Sequence, residues 1–337
     1  MEFSNYQPRM LPYLVKQRVF ETQPFFLFDV GCAGGIDPLW RLFGNQFSGV
    51  GIDPQQNEVE RLRQNERNPN VEYVAALIGL SDNHEFNIRK QTRTRGSDRY
   101  FDPLQRSSAA ARWNMVSNSQ SNVIGQAPTK RKFSVTECAK QNGINRIDFI
   151  KIDTDGFDLE AAISASDIIR PCNVLGFMIE SPFTGSHEDT TNSFHNIDRF
   201  MREQGFMLYV LAQRNYSRAA LPAPFIYNIP AQTVSGQLHW ADAVYLRDGA
   251  SPEYNSIWGQ DLSAVSLLKL AALYELFRLP DCAAELAVTH RDRIAKLVDP
   301  ETVLDLLTPP LNGKQLSYDE YLAVFRDRPE QFFPDVH

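Results

Sequence analysis

Apolar residues along the first two-thirds of the chain come in short blocks separated by turn residues and charged, helix-like segments. Phe25–Val30 reads FFLFDV, a run short and apolar enough to predict a buried strand. The glycine-rich stretch Gly31-Cys32-Ala33-Gly34-Gly35 follows. Pro38-Leu39-Trp40-Arg41-Leu42-Phe43 then predicts a short helix with Asp37 as its N-cap. Residues 49–53, GVGID, predict a second buried strand that also ends in a carboxylate. Residues 55–68 predict a charged helix with Val59 and Leu62 turned inward, and residues 71–80 a third strand. Residues 85–89 alternate weakly and predict the start of an antiparallel strand.

Between residues 91 and 129 the pattern disappears under Ser, Asn, Gln and Arg. So long a patternless stretch inside a domain reads as an insertion or a functional lid. Order returns at residues 132–136, followed by a helix closed by Gly143. Residues 147–153, IDFIKID, are the clearest strand of the chain. A turn and a helix over 158–169 follow, then a strand over 174–180 ending in Glu180, then an amphipathic helix over 190–204. Two last strands are predicted at 206–211 and 243–246, and from Leu262 onward the chain reads as helical. Alternating strands and helices imply an α/β fold with a doubly wound, mostly parallel, Rossmann-like sheet. An antiparallel edge hairpin and a C-terminal helical extension complete it. The implied divisions are an N-terminal segment 1–24, a main domain 25–248 with a basic insertion at 90–130, and the extension 249–337, whose helices suit packing or a homodimer.

Composition narrows the class. Hydrophobic residues at 43% and charged residues at 22% of 337 exclude a wholly disordered chain. No apolar run approaches the roughly 18–20 residues of a membrane helix, and the first residues lack the pattern of a secretory signal. Four scattered cysteines form no CxxC pair, which argues against a disulfide framework or thiolate zinc site and for a reducing, cytoplasmic setting. The chain carries a formal charge of −7, yet residues 89–132 hold ten basic residues against two acidic ones. That distribution excludes a general nucleic-acid binder and leaves room for one anionic ligand, with Arg93, Arg95 and Arg99 as a clamp or as a solvated loop.

A strand ending in Asp29, a glycine loop, a helix and a second strand ending in Asp53 make a nucleotide-binding unit. Glycine lets the backbone approach a ligand that a Cβ would exclude, and a carboxylate after the second strand can accept both hydroxyls of a ribose. The loop spacing GxxGG departs from GxGxxG, and no P-loop lysine follows. An NAD-linked oxidoreductase and a non-catalytic cofactor-binding scaffold remain alternative readings. Asp29 itself reads either as a buried brace of the loop or as a group near the cofactor.

DVGCAGG at 29–35, GIDP at 51–54, AALIGLSD at 75–82 and IDFIKIDTDGFDLE at 147–160 resemble FkbM-type S-adenosylmethionine-dependent methyltransferases. The resemblance spans residues 25–247 apart from the basic insertion. The family usually shows IDFIKIDVEGAE in the fourth-strand motif; here Asp155, Phe157 and Asp158 replace its Glu, Ala and final Glu, and Ala33 stands where Asn is common. The resemblance implies S-adenosylmethionine (SAM) as cofactor. It places Gly31 and Gly35 along the methionine part, Asp53 on the ribose and the Ala76-Leu77 backbone along the adenine. It also implies methyl transfer to a hydroxyl, with a sugar of a glycan or secondary metabolite as acceptor, anionic if the basic insertion takes part. Such a reaction needs a base to take the hydroxyl proton. Asp153, Asp155, His187 and His239 are the candidates. A metal such as Mg2+ held by Asp153 and Glu180 would lower the hydroxyl pKa instead; the other reading has no metal and Asp153 as base.

Overall fold

The computed structural model describes residues 7–80, 85–89, 123–128, 132–154, 156–183, 188–216, 232–253, 256 and 261–333. Of the basic insertion it describes 123–128 alone, so Arg93, Arg95 and Arg99 lie outside the described residues. The chain forms two compact units interleaved in sequence. One holds Phe26–Ile36 and Ser48–Arg247; the other holds Glu2–Phe25, Asp37–Phe47 and Asp248–His337.

Twelve strands are described: β1 (Phe25–Val30), β2 (Phe47–Asp53), β3 (Val71–Ala75), β4 (Leu77–Ile78), β5 (Glu85–Arg89), β6 (Val123–Pro128), β7 (Lys132–Phe133), β8 (Phe149–Ile152), β9 (Gly176–Pro182), β10 (Met207–Tyr216), β11 (Gln232–Thr233) and β12 (Gln237–Leu246). Eight of them make the main sheet of the first unit, in the order β11-β10-β12-β9-β8-β1-β2-β3. The pairs β2/β3, β1/β8 and β8/β9 are parallel, whereas β12 runs antiparallel to both β9 and β10. The chain builds outward from β1 through β2 to β3, then returns to build β8 and β9 on the other side. The crevice beyond the carboxyl ends of β1 and β8 is therefore the switch point of the sheet, where open α/β folds bind ligands. The doubly wound sheet expected from the pattern is present, with the late hairpin inserting its second strand, β12, next to β9.

Local chemistry explains most boundaries. β1 and β2 are buried nearly throughout, as strands covered on both faces must be. The helix Val135–Gln141 starts at a capping box in which Ser134 and Glu137 each accept the other's backbone N–H. Three expectations need correction. The strand expected over 71–80 breaks at Ala76, whose N–H turns to the carbonyl of Asp53, and β4 pairs with β7 instead. The patternless stretch contains β6, which pairs antiparallel with β5. The last two main strands are ten residues each, Met207–Tyr216 and Gln237–Leu246, because cross-strand pairing extends them through polar positions that hydropathy leaves out.

The second unit is helical. Its helix Ala264–Leu276 is buried on every side from Ser266 onward, Lys269 and Glu275 included. Each of these two charges has a specific backbone partner. Lys269 Nζ donates to the carbonyl of Pro24 at 2.9 Å. Glu275 accepts from the N–H groups of Arg9, Met10 and Leu11, each at 2.8 Å, and so caps the helix Met10–Lys16, which has no side-chain cap of its own. Phe25 stacks on Phe43 and Trp40, with centroids 4.2 and 5.7 Å away.

Replacing Glu275 with Ala leaves three N–H groups without their acceptor, two of them on residues with no exposure. The expected cost is about 3 kcal/mol or more. Glu275→Ala should lower the unfolding temperature and strip hydrogen-exchange protection first from residues 10–14. Unchanged protection there would refute the capping role.

Candidate active site

The switch point is shaped by a close approach of backbones. Gly31, at φ +81°, donates its N–H to the carbonyl of Ile52 at 2.8 Å, and the next residue, Cys32, donates to the same oxygen. A Cβ on Gly31 would lie 1.8 Å from the carbonyl oxygen of Asp153, so only glycine fits against the end of β8. Gly34 and Gly35 also hold positive φ, and around the Cβ position of Gly34 nothing lies within 4 Å. The loop thus presents open backbone. It is braced from behind by Glu58, which accepts from Gly34 N–H at 3.0 Å and pairs with Arg61.

Two carboxylates close the neighbouring strand ends. Asp53, at the end of β2, is 4% exposed. One of its oxygens accepts the N–H of Gln55 at 2.8 Å, and its carbonyl accepts from Ala76. Ala76 and Leu77 are half-buried beside it. Asp29, 1% exposed, lies in register with Lys151 of β8. The Lys151 ammonium sits 3.3 Å from Asp29 Oδ1 and 3.5 Å from Asp153 Oδ2. Burial opposes its charge, but Asp29 and Asp153 outweigh burial and hold the ammonium above the usual lysine range. Asp153 itself is half-open, with 47% of its side chain exposed.

The turn beyond β8 is tied down by Asp158, which is fully buried. Its carboxylate accepts from Thr154 N–H at 2.7 Å, from the Thr154 hydroxyl at 2.9 Å, from Gly156 N–H at 3.3 Å and from Asn192 Nδ2 at 2.9 Å. Burial, opposed by the Thr154 hydrogen bonds but aided by the charge of Asp153, pushes its pKa up to about 6. Burial, followed among this unit's charges by Asp153, likewise raises the Asp242 carboxyl on β12, against the pull of Arg214 and Lys151. The Cys32 thiol is raised by burial and by Asp29 and Asp53, which keeps it from serving as a thiolate.

The structure therefore brings Asp29, Gly31, Gly35, Asp53, Ala76, Leu77 and Asp153 around one crevice. Asp155 and His187 lie outside the described residues. His239 is on β12 but is 6% exposed and alternates with Trp240, so it points to the sheet face opposite the register of Lys151, Met178 and Glu180. The crevice does not gather it. Glu180 is half-buried on β9, in register with Asp242. Among the described residues no group of three or more His, Cys, Asp or Glu side chains is placed to hold a metal ion. An ammonium 3.5 Å from Asp153 also disfavours a divalent cation there, so the Asp153–Glu180 pair does not fit Mg2+. Lys151, paired with Asp29 and Asp153, is the crevice residue that sequence reasoning passed over. Its signal was present: one charge in the middle of the apolar run FIKI.

The residues present fit SAM, a cation carrying a ribose and an adenine: a glycine loop with open space at Gly34, a buried carboxylate after β2, and an acidic crevice floor. The match to a family model agrees. Residues 32–208 match the family described as methyltransferase FkbM domain. No curated protein matches the chain. Among solved structures, the chain is similar to the magnesium protoporphyrin IX methyltransferase of Synechocystis PCC 6803 with bound SAM, at 9% identity and TM-score 0.29, covering 70% of this chain and 77% of that one. It is also similar to a TehB-like SAM-dependent methyltransferase of Corynebacterium glutamicum, at 10% identity and TM-score 0.28, covering 69% and 87%.

Asp158 yields a pH signature. Its native pKa of about 6 lies above the roughly 4 of an unfolded aspartate, so the native state binds the extra proton between those values. Its contribution to stability is full below pH 4 and is lost as pH rises through 6. The unfolding temperature of Asp158→Asn should lack that fall between pH 4 and 6. A slope identical to that of the unaltered chain would remove the assignment.

Proposed function

Because the family match covers more than half of its length, this chain belongs to the methyltransferase FkbM domain family, and we propose that it transfers a methyl group from SAM to a hydroxyl oxygen, on a sugar of a glycan or secondary metabolite. The observation that carries this reading is the continuity of the crevice. The glycine loop, the buried Asp53 and the Ala76-Leu77 backbone are linked through the carbonyls of Ile52 and Asp53.

When bound, the cofactor supplies a methyl group on a positively charged sulfur, transferred as the C–S electron pair remains on sulfur. The glycine loop, with open space beside Gly34, faces its amino-acid end, and Asp53 accepts the ribose hydroxyls. Asp29 and Asp153, with Lys151 between them, set a field of net negative charge that suits a cation. Asp153, the more open of the two carboxylates, takes the proton of the acceptor hydroxyl as the oxygen–methyl bond forms. Lys151 holds that carboxylate in place, which is the orienting role a general base requires.

Calorimetric titration with S-adenosylhomocysteine tests the cofactor site. Micromolar binding is expected, weakened by Asp53→Ala by about 2–3 kcal/mol, roughly 30- to 150-fold, as the hydrogen bonds to a charged acceptor are lost. A folded chain with no affinity for the ligand, or a variant that binds equally well, contradicts the assignment.

A further inference from the structure

Strand register places a second polar surface beside the crevice. Lys151 of β8 pairs with Met178 of β9. Glu180 pairs with Asp242 and Pro182 with Trp240 of β12. Ala212 and Arg214 of β10 pair in turn with Asp242 and Trp240. Residues paired in register share a face of the sheet, so Lys151, Met178, Glu180, Asp242, Trp240 and Arg214 lie on one side. The alternate set, Phe177, Ile179, Ser181, Ala241, Ala243 and Tyr245, has no exposure at all. The polar set is half-buried throughout. A strip of charged side chains that stays partly open on a sheet buried on its reverse face is within reach of a ligand.

The strip has an internal order. The Arg214 guanidinium lies 5.2 Å from the centroid of the Trp240 ring, and its Nη2 is 3.4 Å from Asp242 Oδ2. That pair holds Trp240 and Asp242 in fixed positions. Strands are about 4.8 Å apart, and the β8/β9 register carried one residue past Ile152 puts Asp153 level with Glu180 and Asp242, so these two stand roughly one and two strand spacings from Asp153, a span of about one or two sugar rings. The described charges are Asp29, Asp153, Glu180 and Asp242 against Lys151 and Arg214, a net excess of two negative charges.

We infer that this strip is the acceptor platform, and that it takes an uncharged, hydroxyl-rich ring rather than an anionic acceptor. Glu180 and Asp242 accept hydrogen bonds from ring hydroxyls, while Trp240 packs against the C–H face of the ring. The excess of carboxylates repels a uronate, sulfate or phosphate ester. The inference rests on the methyltransferase reading, since the strip ends at Asp153, where the hydroxyl proton is taken.

The test is binding of the full chain, loaded with S-adenosylhomocysteine, to an immobilised array of neutral and acidic oligosaccharides. Wild type should retain neutral members above uronate-bearing and sulfated ones. Trp240→Ala and the milder Glu180→Gln should each reduce that retention at least tenfold, with affinity for S-adenosylhomocysteine within twofold of wild type. Preference for acidic members, retention of none, or variants that bind as wild type does would each overturn the platform. Absence of S-adenosylhomocysteine binding in wild type would instead overturn the cofactor reading, so the two failures are separable.

Discussion

The contact between the end of β1 and the end of β8 is the constraint on which the crevice depends. Gly31 meets the carbonyl of Asp153 where any Cβ would collide with it. One residue earlier, Asp29 faces Lys151, which also reaches Asp153. Backbone and charge therefore join the same two strand ends. With that junction formed, Asp153 stands at the switch point with its carboxylate half-exposed. Separating the two strands would leave a buried aspartate and a largely buried lysine without each other, which is far costlier than losing a surface pair.

Charge distribution follows from this junction. The chain as a whole is acidic and its basic residues concentrate in one insertion, yet the described crevice is lined by carboxylates in excess. An acidic pocket is coherent with a cationic cofactor. Asp158, beneath the turn after β8, contributes to holding that turn by satisfying two backbone N–H groups and two side chains. Where the family motif usually ends in Glu, the shorter Asp158 reaches these donors from within the turn itself.

Much of this was legible from residue pattern because the parallel strands are buried on both faces and read as apolar blocks ending in Asp29, Asp53 and Asp153. The doubly wound order followed from alternation, and the residues at the switch point from the glycine loop and the strand-end carboxylates. The parts that escaped depend on pairing rather than on local sequence. The strands β10 and β12 extend through Arg214 and Trp240, polar or isolated positions that gain their place only by cross-strand register. β6 reads VIGQAP, with two large apolar residues before glycine and polar positions, and so does not stand out from the stretch around it. His239 looked available beside Trp240, but a period of two sends neighbours to opposite faces. The interleaving of 37–47 with the C-terminal helices leaves no mark in hydropathy either.

The most direct test of the central claim, that the junction of β1, β2 and β8 is a SAM pocket, is to locate the ligand on the chain. Backbone amide resonances of the isotope-labelled protein would be followed as S-adenosylhomocysteine is added. Shifts concentrated at residues 31–35, 53–55 and 75–77 are expected, with the helix Pro300–Leu307 unmoved. Saturable binding whose shifts fall elsewhere and leave Gly31–Gly35 and Asp53 unchanged would contradict the claim.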